Sequence, residues 1–170
     1  ATGAIALGFN ITGNHNTANG YEALANNSTG NKNAAVGAYT LENNTTGNNN
    51  TGLGYKALDA NVSGDDNSAF GYQALYFNTG VQNTAGGSGV LYNNTTGSRN
   101  TGNGYGALYT NTTGSYNTAY GNNALSANTT ADANVAIGWA ALSGNTTGIG
   151  NIATGAIALG FNITGNHNTA

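Results

Sequence analysis

A seventeen-residue pattern written nine times in succession leaves this 170-residue chain few ways to fold. Gly97–Thr113, GSRNTGNGYGALYTNTT, is a representative unit; the units begin at Gly13, Gly30, Gly47, Gly64, Gly80, Gly97, Gly114, Ala131 and Gly148. One unit, from Gly64, is a residue shorter in its Asn78-Thr79-Gly80 turn. Four columns never vary. The first asparagine is Asn16, Asn33, Asn50, Asn67, Asn83, Asn100, Asn117, Asn134 and Asn151. The inner glycine is Gly20, Gly37, Gly54, Gly71, Gly87, Gly104, Gly121, Gly138 and Gly155. The leucine is Leu24, Leu41, Leu58, Leu75, Leu91, Leu108, Leu125, Leu142 and Leu159. The second asparagine is Asn27, Asn44, Asn61, Asn78, Asn94, Asn111, Asn128, Asn145 and Asn162. A fixed period of this length is the mark of a stacked repeat, in which each coil buries its apolar side only against its neighbours.

Within a unit, N-T-A-x-G reads as a short strand and N-T-T-G-x-x as a corner, where Asn and Gly tolerate left-handed backbone. The segment Y-x-A-L-x-x reads as a second strand with Leu pointing inward. Helix is disfavoured: Gly recurs twice per unit and the apolar spacing is not three and four. The expected fold is therefore all-β, a parallel β-solenoid of about ten seventeen-residue coils forming one array over residues 1–170. Nine full coils span 13–164, flanked by partial coils 1–12 and 165–170. Residues 153–170 repeat residues 1–18 without a change, an offset of 152 residues. That reads as an excerpt of a longer tandem array, with an engineered duplication as the alternative.

One Leu and two small residues fill a coil thinly, since a buried Leu contributes only about 1.5–3 kcal/mol against roughly 1–2 kcal/mol per ordered residue. Sharing the Leu column with partner chains would relieve the shortage, so a homo-oligomer, trimeric or filamentous, is expected. The alternative is a single-chain solenoid closed by Ala and Gly packing.

Chemistry is sparse. The chain has no Cys, only 5% charged residues, and a net charge of −3, which excludes disulfides, thiolate metal sites and charge-driven attraction of nucleic acid. No apolar run approaches the roughly 20 residues of a membrane-spanning helix. Glu22, Glu42, Asp59, Asp65, Asp66 and Asp132 fall in scattered columns. His15 and His167 are one turn position met twice and read as solvated. Asp65-Asp66-Asn67 could offer oxygens to Ca²⁺, but lacks the spacing of calcium-binding repeats. No catalytic, cofactor-binding or metal-ligating residue is assigned, and no enzyme is expected.

The first asparagines are expected to stack as corner ladders of amide hydrogen bonds. The second asparagines, Asn78 excepted, are also N-x-[ST] sequons, as is Asn10. They are structural turn residues on one reading and glycosylation sites on the other. Tyr21, Tyr55, Tyr72, Tyr105 and Trp139 follow the inner Gly, and Tyr76, Tyr92 and Tyr109 follow the Leu. Such rings either pair between coils and stiffen the rod, or offer contact surface to a partner such as a surface glycan or host receptor. Thr pairs beside the corners raise an ice-binding reading, the least favoured.

Residues 156–166, AIALGFNITGN, their copy at 4–14, and Asn134-Val135-Ala136-Ile137-Gly138 resemble the head repeats of trimeric autotransporter adhesins. The full unit is also similar to repeat arrays of bacterial surface proteins and phage tail fibres. The resemblance implies a left-handed, trimeric parallel β-roll, exposed on a cell surface or virion and serving adhesion.

Overall fold

The computed structural model describes residues Ala1–Ala170 and contains no helix. Nine three-residue strands form along it: β1 (Thr17–Asn19), β2 (Ala34–Val36), β3 (Thr51–Leu53), β4 (Ser68–Phe70), β5 (Thr84–Gly86), β6 (Thr101–Asn103), β7 (Thr118–Tyr120), β8 (Val135–Ile137) and β9 (Ile152–Thr154). They pair in chain order into one parallel sheet. Each lateral step is one coil, with Ala18 beside Ala35 and Ala35 beside Gly52. The chain is thus a parallel β-solenoid of about eight turns from β1 to β9. Single bridges, Thr2 to Asn19 and Ile152 to Thr169, extend the pairing to both ends. The short unit keeps phase, because Ser68 still lies beside Thr84 and the missing residue is absorbed at the corner.

Only the middle residue of each strand points inward, as the two-residue period of a strand requires. The segment expected to be a second strand is instead a run of turns. In the first full coil Glu22 and Leu24 lie at φ 53° and 52°. The N–H groups of Ala23, Ala25 and Asn27 donate three residues back, to Gly20, Glu22 and Leu24, at 3.3 Å each. The N–H groups of Leu24 and Asn26 instead reach Thr40 and Glu42 of the next coil at 3.0 Å. This alternation explains why no strand forms there. Ala23 and Leu24 are adjacent and both fully buried, whereas a flat strand sends neighbours to opposite faces. Left-handed backbone at every second residue turns both inward.

Every invariant Leu takes this conformation, at φ between 49° and 55°. It costs on the order of 1 kcal/mol for a residue with a Cβ. Full burial of the side chain contributes about 1.5–3 kcal/mol, so burial wins in the coils from Leu24 to Leu142.

The core is three parallel files: the strand-middle Ala or Gly, the residue before Leu, and Leu itself. Two coils show how tightly the files are fitted. Where the residue before Leu grows to Thr40 or Val90, the strand residue twelve positions on shrinks to Gly52 or Gly102. A Cβ at Gly52 would lie 2.5 Å from Thr40 Cγ2, and one at Gly102 would lie 2.5 Å from Val90 Cγ1. The inner glycines are fixed for a different reason. Gly121 sits at φ 138°, and a Cβ there would stand 2.3 Å from the Gly138 carbonyl oxygen of the coil beyond.

The leucines from Leu24 to Leu142 are fully buried within a single chain. The Leu column is therefore not a surface that partner chains could share around a common axis. The thin core is closed by Ala and Gly at near-contact and by polar ladders, and any partner must use the outer surface.

Candidate functional site

Two asparagine ladders run the length of the solenoid. In the first, each Oδ1 accepts the backbone N–H of the asparagine one coil on: Asn50 to Asn33 at 2.9 Å, Asn67 to Asn50 at 3.0 Å, Asn117 to Asn100 at 3.0 Å. Its Nδ2 donates to a corner carbonyl, as from Asn50 to Gly64 at 2.7 Å and from Asn100 to Gly114 at 2.8 Å. In the second ladder the side chains bond one another. Asn94 donates to Asn78, Asn111 to Asn94 and Asn128 to Asn111, each at 2.7 Å, and each also closes its own corner through the carbonyl three residues on. That chain of amides is unbroken from Asn10 to Asn162. No buried side-chain polar atom is left without a partner, the condition under which buried amides stabilise rather than penalise a fold.

One coil departs from the pattern. Asn134 Nδ2 donates to Asn117 Oδ1 at 3.2 Å, as Asn117 does to Asn100, but makes no bond to the Gly148 carbonyl, in the unit where Ala131 replaces the corner glycine. At the equivalent Gly114 a Cβ would meet Asn111 Oδ1 at 2.5 Å, so the extra methyl presses on the corner.

The ladders settle where the sequon asparagines lie. Asn27, Asn44, Asn61, Asn94, Asn111, Asn128 and Asn145 are fully buried, with the Nδ2 atom that would carry a sugar already donating two hydrogen bonds. Asn162 is half-buried, and Asn10 is exposed at the open end. The first threonine of the N-T-T corner is likewise engaged. Thr95, Thr112 and Thr129 donate their hydroxyls to the carbonyls of Thr112, Thr129 and Thr146 at 3.0–3.2 Å.

The ionisable groups occupy repeat positions rather than a common pocket. Asp65 Oδ1 accepts the Asn48 N–H at 2.6 Å and Asp132 Oδ1 that of Ser115 at 2.7 Å, the role Asn48 plays toward Asn31. His15 and His167 are exposed at φ 59° and 55°, in a column that also holds Asn49, Asp66 and Gly150. No three of the His, Asp and Glu side chains converge as a metal site would need. The one ion pair, Lys56 to Asp59 at 3.6 Å, lies beside Glu42. Partial burial raises the Glu42 carboxyl above its ordinary range, and the nearby charges of Asp59 and Glu22 add to it.

The aromatic residues form two files on the outer surface of the turn segment. Tyr76, Tyr92 and Tyr109 stack at centroid separations of 5.2 Å with planes 10° and 4° apart. In the other file Tyr55 stacks on Tyr72 at 5.6 Å. Tyr39, one column over and not singled out by the repeat, bridges Tyr21 and Tyr55 edge-on at 5.3 and 5.8 Å. Cross-coil ring pairing thus runs from Tyr21 in the first full coil to Tyr109 in the sixth, while Tyr105 and Trp139 stand without a ring partner.

Between the files lies a groove that sequence reasoning missed. Tyr72 and Tyr105 form one wall with Ser88 between them, and Tyr92 and Tyr109 form the other. Its floor is bare backbone, because the column carrying Tyr39, Lys56 and Gln73 in earlier coils is Gly89 and then Gly106. The hollow over Gly89, about 150 Å³, adjoins a larger one of about 430 Å³ that runs past Tyr105 toward Asn123 and Ser126. The two consecutive glycines were the signal available beforehand. Comparison of the chain with protein-family models, with curated proteins and with solved structures gives no match.

Proposed function

We propose that this chain is a structural, non-catalytic segment of an extracellular fibre or surface appendage, supporting adhesion. The observation behind this is the continuity of the ladders. Both asparagine files and the Leu file pass through every coil without a break, so cohesion runs along the axis rather than around a site. With so few charged groups and no Cys, little in the rod responds to pH or redox change.

The rod is taken as left-handed, about ten coils long when both end bridges are counted, and assembled as a homotrimer or filament, in keeping with its resemblance to adhesin heads. The outer face of the sheet is the natural contact. Val36, Leu53 and Phe70 lie side by side on β2–β4, each at least 38% exposed, and Tyr120 and Ile137 continue the apolar character on β7 and β8. N-linked sugars are not part of this proposal, since a glycan on the buried corners would displace the ladder.

A second reading, a glycan- or receptor-binding module, is favoured by the tyrosine groove. Antibody labelling of intact cells that make the protein, viewed by electron microscopy, tests the fibre proposal. Label along external filaments supports it, and label confined to the cytoplasm overturns it. Light scattering of the purified chain tests assembly: three chain masses or growing polymers support it, and a monomer at all concentrations opposes it.

A further inference from the structure

We propose that the groove between the tyrosine files, centred on Tyr105 and Tyr109, binds an uncharged oligosaccharide. The proposal rests on the second reading above and gives it a place and a ligand chemistry.

The groove lies where one ring file is continuous and the two columns beside it lose their large side chains together. In the Tyr76–Tyr92–Tyr109 file each ring covers the next. The opposite file loses a ring at Ser88, so Tyr72 and Tyr105 stand two coils apart, roughly 9–10 Å at the usual strand spacing. A gap of that size in one wall, facing the Tyr92 and Tyr109 rings of the other, leaves room for one saturated sugar ring. The neighbouring column loses its side chains at the same place, through Gly89 and Gly106, which clears the floor.

The polar groups point to the same occupant. Along the ladders every amide is engaged, and Thr110 and Ser126 at the rim donate to carbonyls at 2.7 and 3.5 Å. Gln73 and Asn123, at the two ends of the floor, and Ser88 in the wall are half-buried, yet their side chains make no hydrogen bond within the chain. They offer donors and acceptors beside aromatic faces, the combination that suits a sugar, with C–H groups on its faces and hydroxyls at its edge. No charged side chain lines either hollow, so nothing there repays the desolvation of an acidic or basic ligand. Because the two hollows adjoin and share Tyr105, Gly106 and Tyr109, the fitting ligand spans more than one ring.

The test is NMR titration of the whole chain with millimolar cellotriose, tri-N-acetylchitotriose and β-1,4-galactotriose, following tyrosine ring and Asn123 side-chain signals. At least one probe is expected to shift Tyr105, Tyr109 and Asn123. Tyr105→Ala and Tyr109→Ala should each weaken that binding about tenfold or more, with circular dichroism unchanged in both and the melting temperature unchanged in Tyr105→Ala, whose ring has no ring partner. Gly106→Gln, the residue the same column carries at Gln73, should block the groove while keeping the rings. Shifts centred on Tyr21, Tyr39 or Trp139 and insensitive to these variants would overturn the groove while leaving the binding reading intact. No shift with any of the three sugars would overturn the proposal. So would a loss of self-association in Tyr109→Ala without saccharide binding, which would assign the groove to a second copy.

Discussion

The two sides of each coil reach the same end by different backbone chemistry. On the sheet side three residues run extended, one small side chain points in, and the stacking needs nothing unusual of φ. On the turn side the chain places two neighbouring residues, such as Ala107 and Leu108, in the core, and does so only by holding Leu108 at φ 54°. The sheet side is therefore limited by volume, as Gly52 and Gly102 show, and the turn side by conformation. The asparagine ladders sit where the two sides meet and hold the alternation in register.

The comparison can be broken most severely on the turn side. Leu108→Asp puts an unpaired charge into the closed file and should cost more than about 4 kcal/mol, opening the rod locally. Chemical denaturation measures it; wild-type stability in that variant would place Leu108 outside the core. Next comes the seam. Asn111→Ala removes the bonds to Asn94 and Gly114 and strands the Asn128 Nδ2 donor by taking away its Asn111 Oδ1 acceptor. A loss of about 2–4 kcal/mol is expected by the same measurement, and a change below 1 kcal/mol, on the order of one exposed hydrogen bond, would mean that the ladder is decorative.

The sheet side should respond to volume alone. Gly102→Ala presses a methyl against Val90 and should cost about 1–3 kcal/mol. Adding Val90→Ala restores the pairing that Ala107 and Ala119 already make in the next coil, so the double variant should recover most of that loss. Additive costs in this cycle would refute the compensation. The smallest effect is electrostatic. Glu42 holds its proton more tightly folded than unfolded, because burial and then Asp59 and Glu22 disfavour its charge. The folded state thus gains from Glu42 while it is protonated and loses that gain as pH rises through the ordinary carboxylate value of 4.5 and above. Glu42→Gln should match wild type in acid and melt slightly higher at neutral pH. A wild-type advantage at neutral pH would reverse the sign.

The repeat made the strand, the corners and the inward Leu legible, because each depends on a residue type recurring at a fixed offset. The turn segment was misread because Leu at positive φ is foreign to its usual behaviour, and an apolar Ala-Leu pair resembles strand core. The corrective signal was faint: Gly89 and Gly106 occupy the column of Glu22, and Gly150 that of His15, each at a left-handed position. The trade of Thr40 for Gly52 was written in the chain, but its meaning depends on which coils touch. The groove follows the same logic. Two glycines and a serine mark it, and only the stacking shows that they open onto one space between tyrosines.

Hydrogen exchange of the asparagine side-chain amides, resolved by NMR, tests the central claim most directly. If the ladders are the continuous buried seam of a self-contained coil, the Nδ2 protons of Asn44, Asn61, Asn111 and Asn128 should exchange only as fast as their coils unfold. The backbone N–H groups of Asn50 and Asn117 should be protected to the same degree. Side-chain exchange at the rate of free asparagine, with the strand amides still protected, would contradict the seam and return the cohesion of the rod to the sheet alone.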